Sequence, residues 1–183
     1  MYGIITLLDD TLNSRVVRIW QLLKAECGLE AIFQTPVPHF TWHIAEQYDI
    51  SQLEPALQEL SKDFRPITVR TVGIGIFTGL SPVVYLSINK TERLIAYHQR
   101  IWRQVEPAAT GSSPLYAPPS WMPHITLAID DVDHNRLACA IHRLAPETYD
   151  WEILVDHLVL ASEDSTQANI GSKQFPFIGA IER

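Results

Sequence analysis

No stretch of the chain approaches the roughly 18 consecutive apolar residues of a membrane span, and its opening, Met1-Tyr2-Gly3-Ile4, lacks the basic region that starts a secretory signal. The two absences predict a cytoplasmic protein with no membrane partner. Cysteine is scarce. Cys27 and Cys139 are the only two, and neither lies in a Cys-x-x-Cys metal or redox spacing, so in a reducing compartment both are expected as small core residues without a disulfide. Cations are scarce too. Against 21 Asp and Glu stand 14 Lys and Arg, a formal charge of −7. Since nonspecific nucleic-acid binding draws on many Lys and Arg contacts to phosphate, this balance excludes duplex DNA as a partner and leaves a small nucleotide or an RNA end. The 183 residues contain no tract of like charges. They suffice for one domain, or two small lobes sharing a core, and are too few for two full-sized domains. A monomer is expected.

What the chain does have is a pattern set down twice. His39-Phe40-Thr41-Trp42 and His124-Ile125-Thr126-Leu127 share the form His-x-Thr-hydrophobic. The elements around the two copies also repeat. Met1 to Leu8 is a short apolar run that reads as a strand. Leu12, Val16, Ile19, Trp20, Leu23 and Cys27 then recur at spacings of three and four, which predicts a helix over Thr11 to Cys27, with Gly28 placed for a left-handed cap. A loop containing Pro36 and Pro38 delivers the chain to a strand over His39 to Ile44. Side chains alternate along a strand, so His39, Thr41 and His43 should share one face while Phe40, Trp42 and Ile44 enter the core. Ser51-Gln52-Leu53-Glu54 has the form of a capping box for a helix to about Lys62, and Ile67 to Phe77 reads as a strand bent at its glycines.

The order then restarts. Val83 to Ile88 is strand-like, and Thr91 opens a helix with Leu94, His98, Ile101, Trp102 and Val105 on one face. Arg18-Ile19-Trp20 lies over Arg100-Ile101-Trp102 at a constant offset. A proline-rich loop from Pro107 to Pro123 leads to a strand over His124 to Ile129; Asp133 caps a helix. Tyr149 to Ala161 is strand-like with a break near Asp156, Ser162 to Lys173 is a polar loop, and a last strand covers about Phe175 to Ile181. Each half is strand, helix, His-x-Thr strand, helix, strand, an internal duplication with halves at about 1–80 and 81–183. An approximate twofold would set the motif strands on either side of a central cleft.

Two imidazoles with ordinary pKa near 6.5 can hold one proton between them, so that one accepts from water or a hydroxyl while the other donates to a leaving oxygen. Hydroxyls from Thr41 and Thr126 would hold the non-bridging oxygens of a phosphate between them. This arrangement calls for no metal and no other cofactor. A competing reading gathers His39, His43 and His124 around zinc, although residues four apart on a strand are roughly 13 Å apart along the backbone. Phe33 before the first motif, and Tyr116 and Trp121 before the second, are placed to stack on a base. His43 is a further candidate for substrate contact. Arg70, Arg103 and Lys173 are the cations available for phosphate.

Paired His-x-Thr-hydrophobic motifs, one in each half of a duplicated chain of this length, resemble the two-histidine (2H) phosphoesterase superfamily, with its 2′-5′ RNA ligase-like proteins and cyclic phosphodiesterases. The resemblance implies an α+β bilobed fold, antiparallel sheets lining the cleft with helices outside, and metal-independent opening of 2′,3′-cyclic phosphates or making and breaking of 2′-linked diesters. It places His39, Thr41, His124 and Thr126 in the catalytic site. The alternative is a protein of the same fold that binds a nucleotide or RNA end without turnover.

Overall fold

Burying the stripe Leu12, Val16, Trp20, Leu23 and Cys27 fixes the first helix in place. In the computed structural model, which describes residues 2–162 and 173–178, strand β1 (Tyr2–Leu7) leads into α1 (Asp10–Cys27). The Asp9 carboxylate caps α1 by accepting from the Leu12 N–H, and Gly28 ends it at φ 68°. There follow β2 (His39–Tyr48), α2 (Ile50–Asp63), β3 (Ile67–Phe77), β4 (Val83–Ile88), α3 (Glu92–Val105), β5 (Ala109–Ser112), β6 (His124–Ala128), α4 (His134–Leu144), β7 (Glu152–Val155), β8 (His157–Ser162) and β9 (Gln174–Pro176). Thr91 and Asp133 cap α3 and α4 as the sequence predicts. The capping box at Ser51 does not form. Asp49 takes the cap instead, accepting from the Ser51 N–H, because a carboxylate is the stronger acceptor beside the positive end of the helix dipole.

The fold is α+β, with two antiparallel sheets. One runs β5-β2-β1-β8-β9, the other β6-β4-β3-β7. The pairs β1–β2 and β4–β6 occupy equivalent places. The third strands are exchanged: β3 of the first half pairs with β4 and β7, and β8 of the second half pairs with β1. Helix α1 packs beside α4, and α2 beside α3. Phe40, Trp42, Leu57, Leu86, Leu94, Ile125 and their neighbours form one continuous core.

Two expectations are revised. Strand β5 lies inside the loop expected to be irregular and pairs with the end of β2 (Ala45 with Ser112, Gln47 with Thr110); Ala-Thr-Gly-Ser carries no hydrophobic alternation to announce it. Cys27 and Cys139 form a disulfide. They stand 112 residues apart with no local signature, and only the packing of α1 on α4 brings their Cα atoms to 5.7 Å. The break expected near Asp156 is present, with β7 before it and β8 after it in different sheets. The polar loop expected over Ser162 to Lys173, and the end of the last strand, fall largely outside the described residues. No helix among the described residues is long and apolar enough to cross a membrane.

Candidate active site

Both motif strands carry the same irregularity. On β2, Thr41 pairs with Ile5 and His43 with Ile4, so Trp42 is an extra, bulged residue. On β6, Thr126 pairs with Tyr85 and Ala128 with Val84, so the extra residue is Leu127. Burial follows suit: over 39–43 and over 124–128 the order is half-buried, buried, half-buried, buried, buried. Up to the threonine, alternation holds, and His39, Thr41, His124 and Thr126 face the cleft. Beyond it the bulge reverses the alternation.

That reversal corrects the expectation for His43. It is fully buried and occupies the place of Ala128 in the second motif, while Ile44 turns to the cleft. His43 Nε2–H donates to the Glu106 carboxylate at 3.0 Å, and Nδ1 accepts from the Tyr48 hydroxyl at 2.6 Å. Glu106 also accepts from the Ser112 hydroxyl at 2.7 Å. Burial lowers the His43 pKa, with Glu106 opposing. The residue braces β2 against β5 and the start of the second loop. His43 does not line the pocket of the motif residues, and His39, His43 and His124 are not gathered into a metal-ligand group.

His39, Thr41, His124 and Thr126 line one pocket of ≈ 170 Å³, together with Trp20, Thr35, Ile44, Tyr116 and other residues. The two histidines are held alike. His39 Nδ1–H donates to the Val37 carbonyl at 2.9 Å, and His124 Nδ1–H to the Met122 carbonyl at 2.7 Å. Each bond spans a proline, Pro38 or Pro123, and each leaves Nε2 as the free ring nitrogen. The repeated Pro-His pair was the available sequence signal for this anchoring. Burial lowers both imidazole pKa values; the anchoring carbonyls oppose the shift, and the neighbouring His124 lowers His39 further. Phe77 and Tyr85 pack on His124, with ring centroids at 5.0 and 5.1 Å. A Cβ on Gly75 would lie 2.5 Å from the Tyr85 ring, so only glycine lets that ring cross the strand.

The aromatic residues expected as base contacts separate. Tyr116 lines the pocket with Thr41, whose side chain opposes the rise that burial gives the Tyr116 hydroxyl pKa. Trp121 is 1% exposed, stacked between Trp42 and His98, which corrects its expected role as a substrate contact. Packing claims both of its faces. Phe33 is exposed outside the pocket, edge-on to Trp20. Of the cations, Arg70 is held by Asp150 and Glu152, and Lys173 pairs with Glu54; neither these nor Arg103 line the pocket.

Buried His98 makes a testable contribution to stability. Burial lowers its pKa from 6.5 to about 4, with His43 and Lys90 adding to the shift and the carbonyl of Trp42 opposing it. Because the folded value lies below the unfolded one, the unfolded chain takes up the proton first. Stability is therefore complete above pH 6.5 and falls towards pH 4, by of the order of 3 kcal/mol. Urea midpoints at pH 7 and 4.5 should separate more in the wild type than in His98→Leu.

The model of the 2′-5′ RNA ligase superfamily matches residues 9–167. A protein of Bacillus licheniformis that carries a phosphoesterase name is 29% identical over 104 residues, 54% of this chain and 57% of its own length. One of Bacillus pumilus, similarly named, is 26% identical over 107 residues, 54% of this chain and 56% of its own. The matches thus span little more than half of these relatives. Among solved structures, TT0787 of Thermus thermophilus superposes with a TM-score of 0.61 at 18% identity, covering 88% of this chain and 87% of that one. Usb1 of Kluyveromyces marxianus, solved with uridine monophosphate, gives 0.53 at 13% identity, covering 96% and 97%. Both are likenesses of fold.

Proposed function

Because the chain belongs to the 2′-5′ RNA ligase superfamily, we propose that it is a metal-independent phosphodiesterase acting on 2′,3′-cyclic or 2′-5′-linked phosphodiesters of nucleotides or RNA ends. One observation carries the reading: two imidazoles, each anchored through Nδ1 to a carbonyl two residues back, line one pocket with two motif threonines. With a cyclic phosphate between them, one Nε2 takes the proton of an attacking water as its oxygen bonds to phosphorus. The bond from phosphorus to the 2′ or 3′ oxygen breaks, and that oxygen takes a proton from the other imidazole. The product is a nucleoside monophosphate. The proton gained by the first imidazole resets the pair through solvent. Thr41 and Thr126 donate to the non-bridging oxygens.

The test is incubation with nucleoside 2′,3′-cyclic phosphates and a 2′-5′-linked dinucleotide in EDTA. Monoester should accumulate from the first, or two fragments from the second. No product from either overturns the proposal, and activity that EDTA abolishes overturns its metal-free form.

A pH dependence follows from the lowered imidazole pKa values. The free enzyme needs one protonated and one neutral ring, and burial makes the proton harder to keep. The optimum of kcat/KM is therefore expected on the acid side of neutrality, falling as pH rises through 7. An optimum above pH 8 would contradict this.

A further inference from the structure

Both motif strands have an open flank at the threonine. Strand β6 is the edge of its sheet, and on β2 the pairing with β5 begins only at Ala45. Backbone carbonyls on such a flank need a donor. Each threonine carbonyl has one, and in both cases it is an indole. Trp20 Nε1–H donates to the Thr126 carbonyl at 3.0 Å, and Trp121 Nε1–H to the Thr41 carbonyl at 2.9 Å.

The two indoles cross between halves. Trp20, on α1 of the first half, holds the second motif; Trp121, in the loop of the second half, holds the first. Both are buried. Trp121 is further fixed by His98 stacked on it, with centroids 3.8 Å apart, and by the Lys90 ammonium, which donates to its carbonyl at 2.7 Å. Its chain neighbour Met122 supplies the carbonyl that anchors His124. Trp102, which the sequence repeat aligns with Trp20, has no such place and packs on the rings of His43 and His98.

We infer that Trp20 and Trp121 are paired positioning residues, whose indole N–H groups fix each motif strand at the residue before its bulge and thereby set the two threonine hydroxyls and the two imidazoles relative to one another. The kinetic consequence rests on the function proposed above. Small displacements of groups around a reacting centre cost about 10²-fold in rate, while the ring packing that phenylalanine retains preserves the pocket walls. The bonds affect geometry more than capture.

Trp20→Phe and Trp121→Phe should each lower kcat on a 2′,3′-cyclic nucleotide by about 10- to 100-fold with KM within about threefold. Trp102→Phe, which removes an indole of the same kind from outside the brace, should keep the wild-type kcat. Should Trp121→Phe fail to fold, Trp20→Phe tests the same bond on the other motif. Independently of activity, the Trp20 and Trp121 indole protons of the unmodified protein should exchange slowly with deuterium, and Trp20→Phe should shift the His124 ring signals in NMR spectra. Wild-type kcat in every folded Trp→Phe variant, an equal loss in Trp102→Phe, or indole exchange at the solvent rate would overturn the inference. A wild-type protein that turned over no phosphodiester would instead refute the proposed function, and the exchange and ring shifts would still decide the brace.

Discussion

His39→Ala and His124→Ala are each expected to lower kcat on a 2′,3′-cyclic nucleotide by about 10²- to 10⁴-fold, the range that a positioned general acid or base contributes. Both rings are half-buried in the same pocket and both present Nε2, so neither substitution leaves a second imidazole able to take over the missing role. The double variant should be little worse than either single one, because groups that act as a unit lose their effect together. KM should move less than kcat, since the threonine hydroxyls proposed to hold the phosphate remain. Steady-state kinetics on the three variants checks this. A residual rate within about tenfold of wild type in either single variant would remove that histidine from the chemistry.

The second large effect concerns stability. The Cys27–Cys139 bond closes a loop of 112 residues between α1 and α4. In the chain-entropy treatment a loop of that length restricts the unfolded state by about 5 kcal/mol, an upper figure because native relaxation and residual structure in the unfolded chain reduce it. For a protein of this size each kcal/mol moves Tm by about 2–4 °C. Cys139→Ser, or reduction of the wild type, should therefore lower Tm by roughly 10–20 °C. Calorimetry with and without reductant measures it. The cleft itself contains neither cysteine, so activity well below the new Tm should survive. A fall below about 2 °C would show that the packing of α1 on α4 holds without the bond.

Where periodicity governs, the sequence was legible. The stripes of α1 and α3, the caps at Thr91 and Asp133, the glycine cap at Gly28 and the strands Ile67–Phe77 and Val83–Ile88 all follow from local spacing. Alternation likewise predicted which way His39 and Thr41, or His124 and Thr126, would face. It failed two residues further on. A bulge inserts a residue without altering composition, so nothing in Thr41-Trp42-His43 announces that His43 turns inwards. Its partner Glu106 lies 63 residues away, beyond the reach of any local pattern. Long-range pairing hid the rest: the disulfide, the exchange of β3 and β8, and the like places of the Trp20 and Trp121 indoles, since the Arg-Ile-Trp repeat matched Trp20 to Trp102. Trp121 misled for a plain reason. An aromatic residue in a loop before a motif has the same appearance in sequence whether it stacks on a base or on Trp42 and His98.

Two imidazoles facing one phosphate are the centre of the proposed chemistry. The most direct measurement is ¹H–¹⁵N NMR of the histidine rings during titration with a vanadate–uridine complex, a pentacoordinate stand-in for the phosphorane-like state. His39 and His124 should each show a protonated Nδ1 before addition, and the Nε2 signals of both should shift together on binding. A shift of one ring alone, or of neither while the ligand binds, would contradict the shared site.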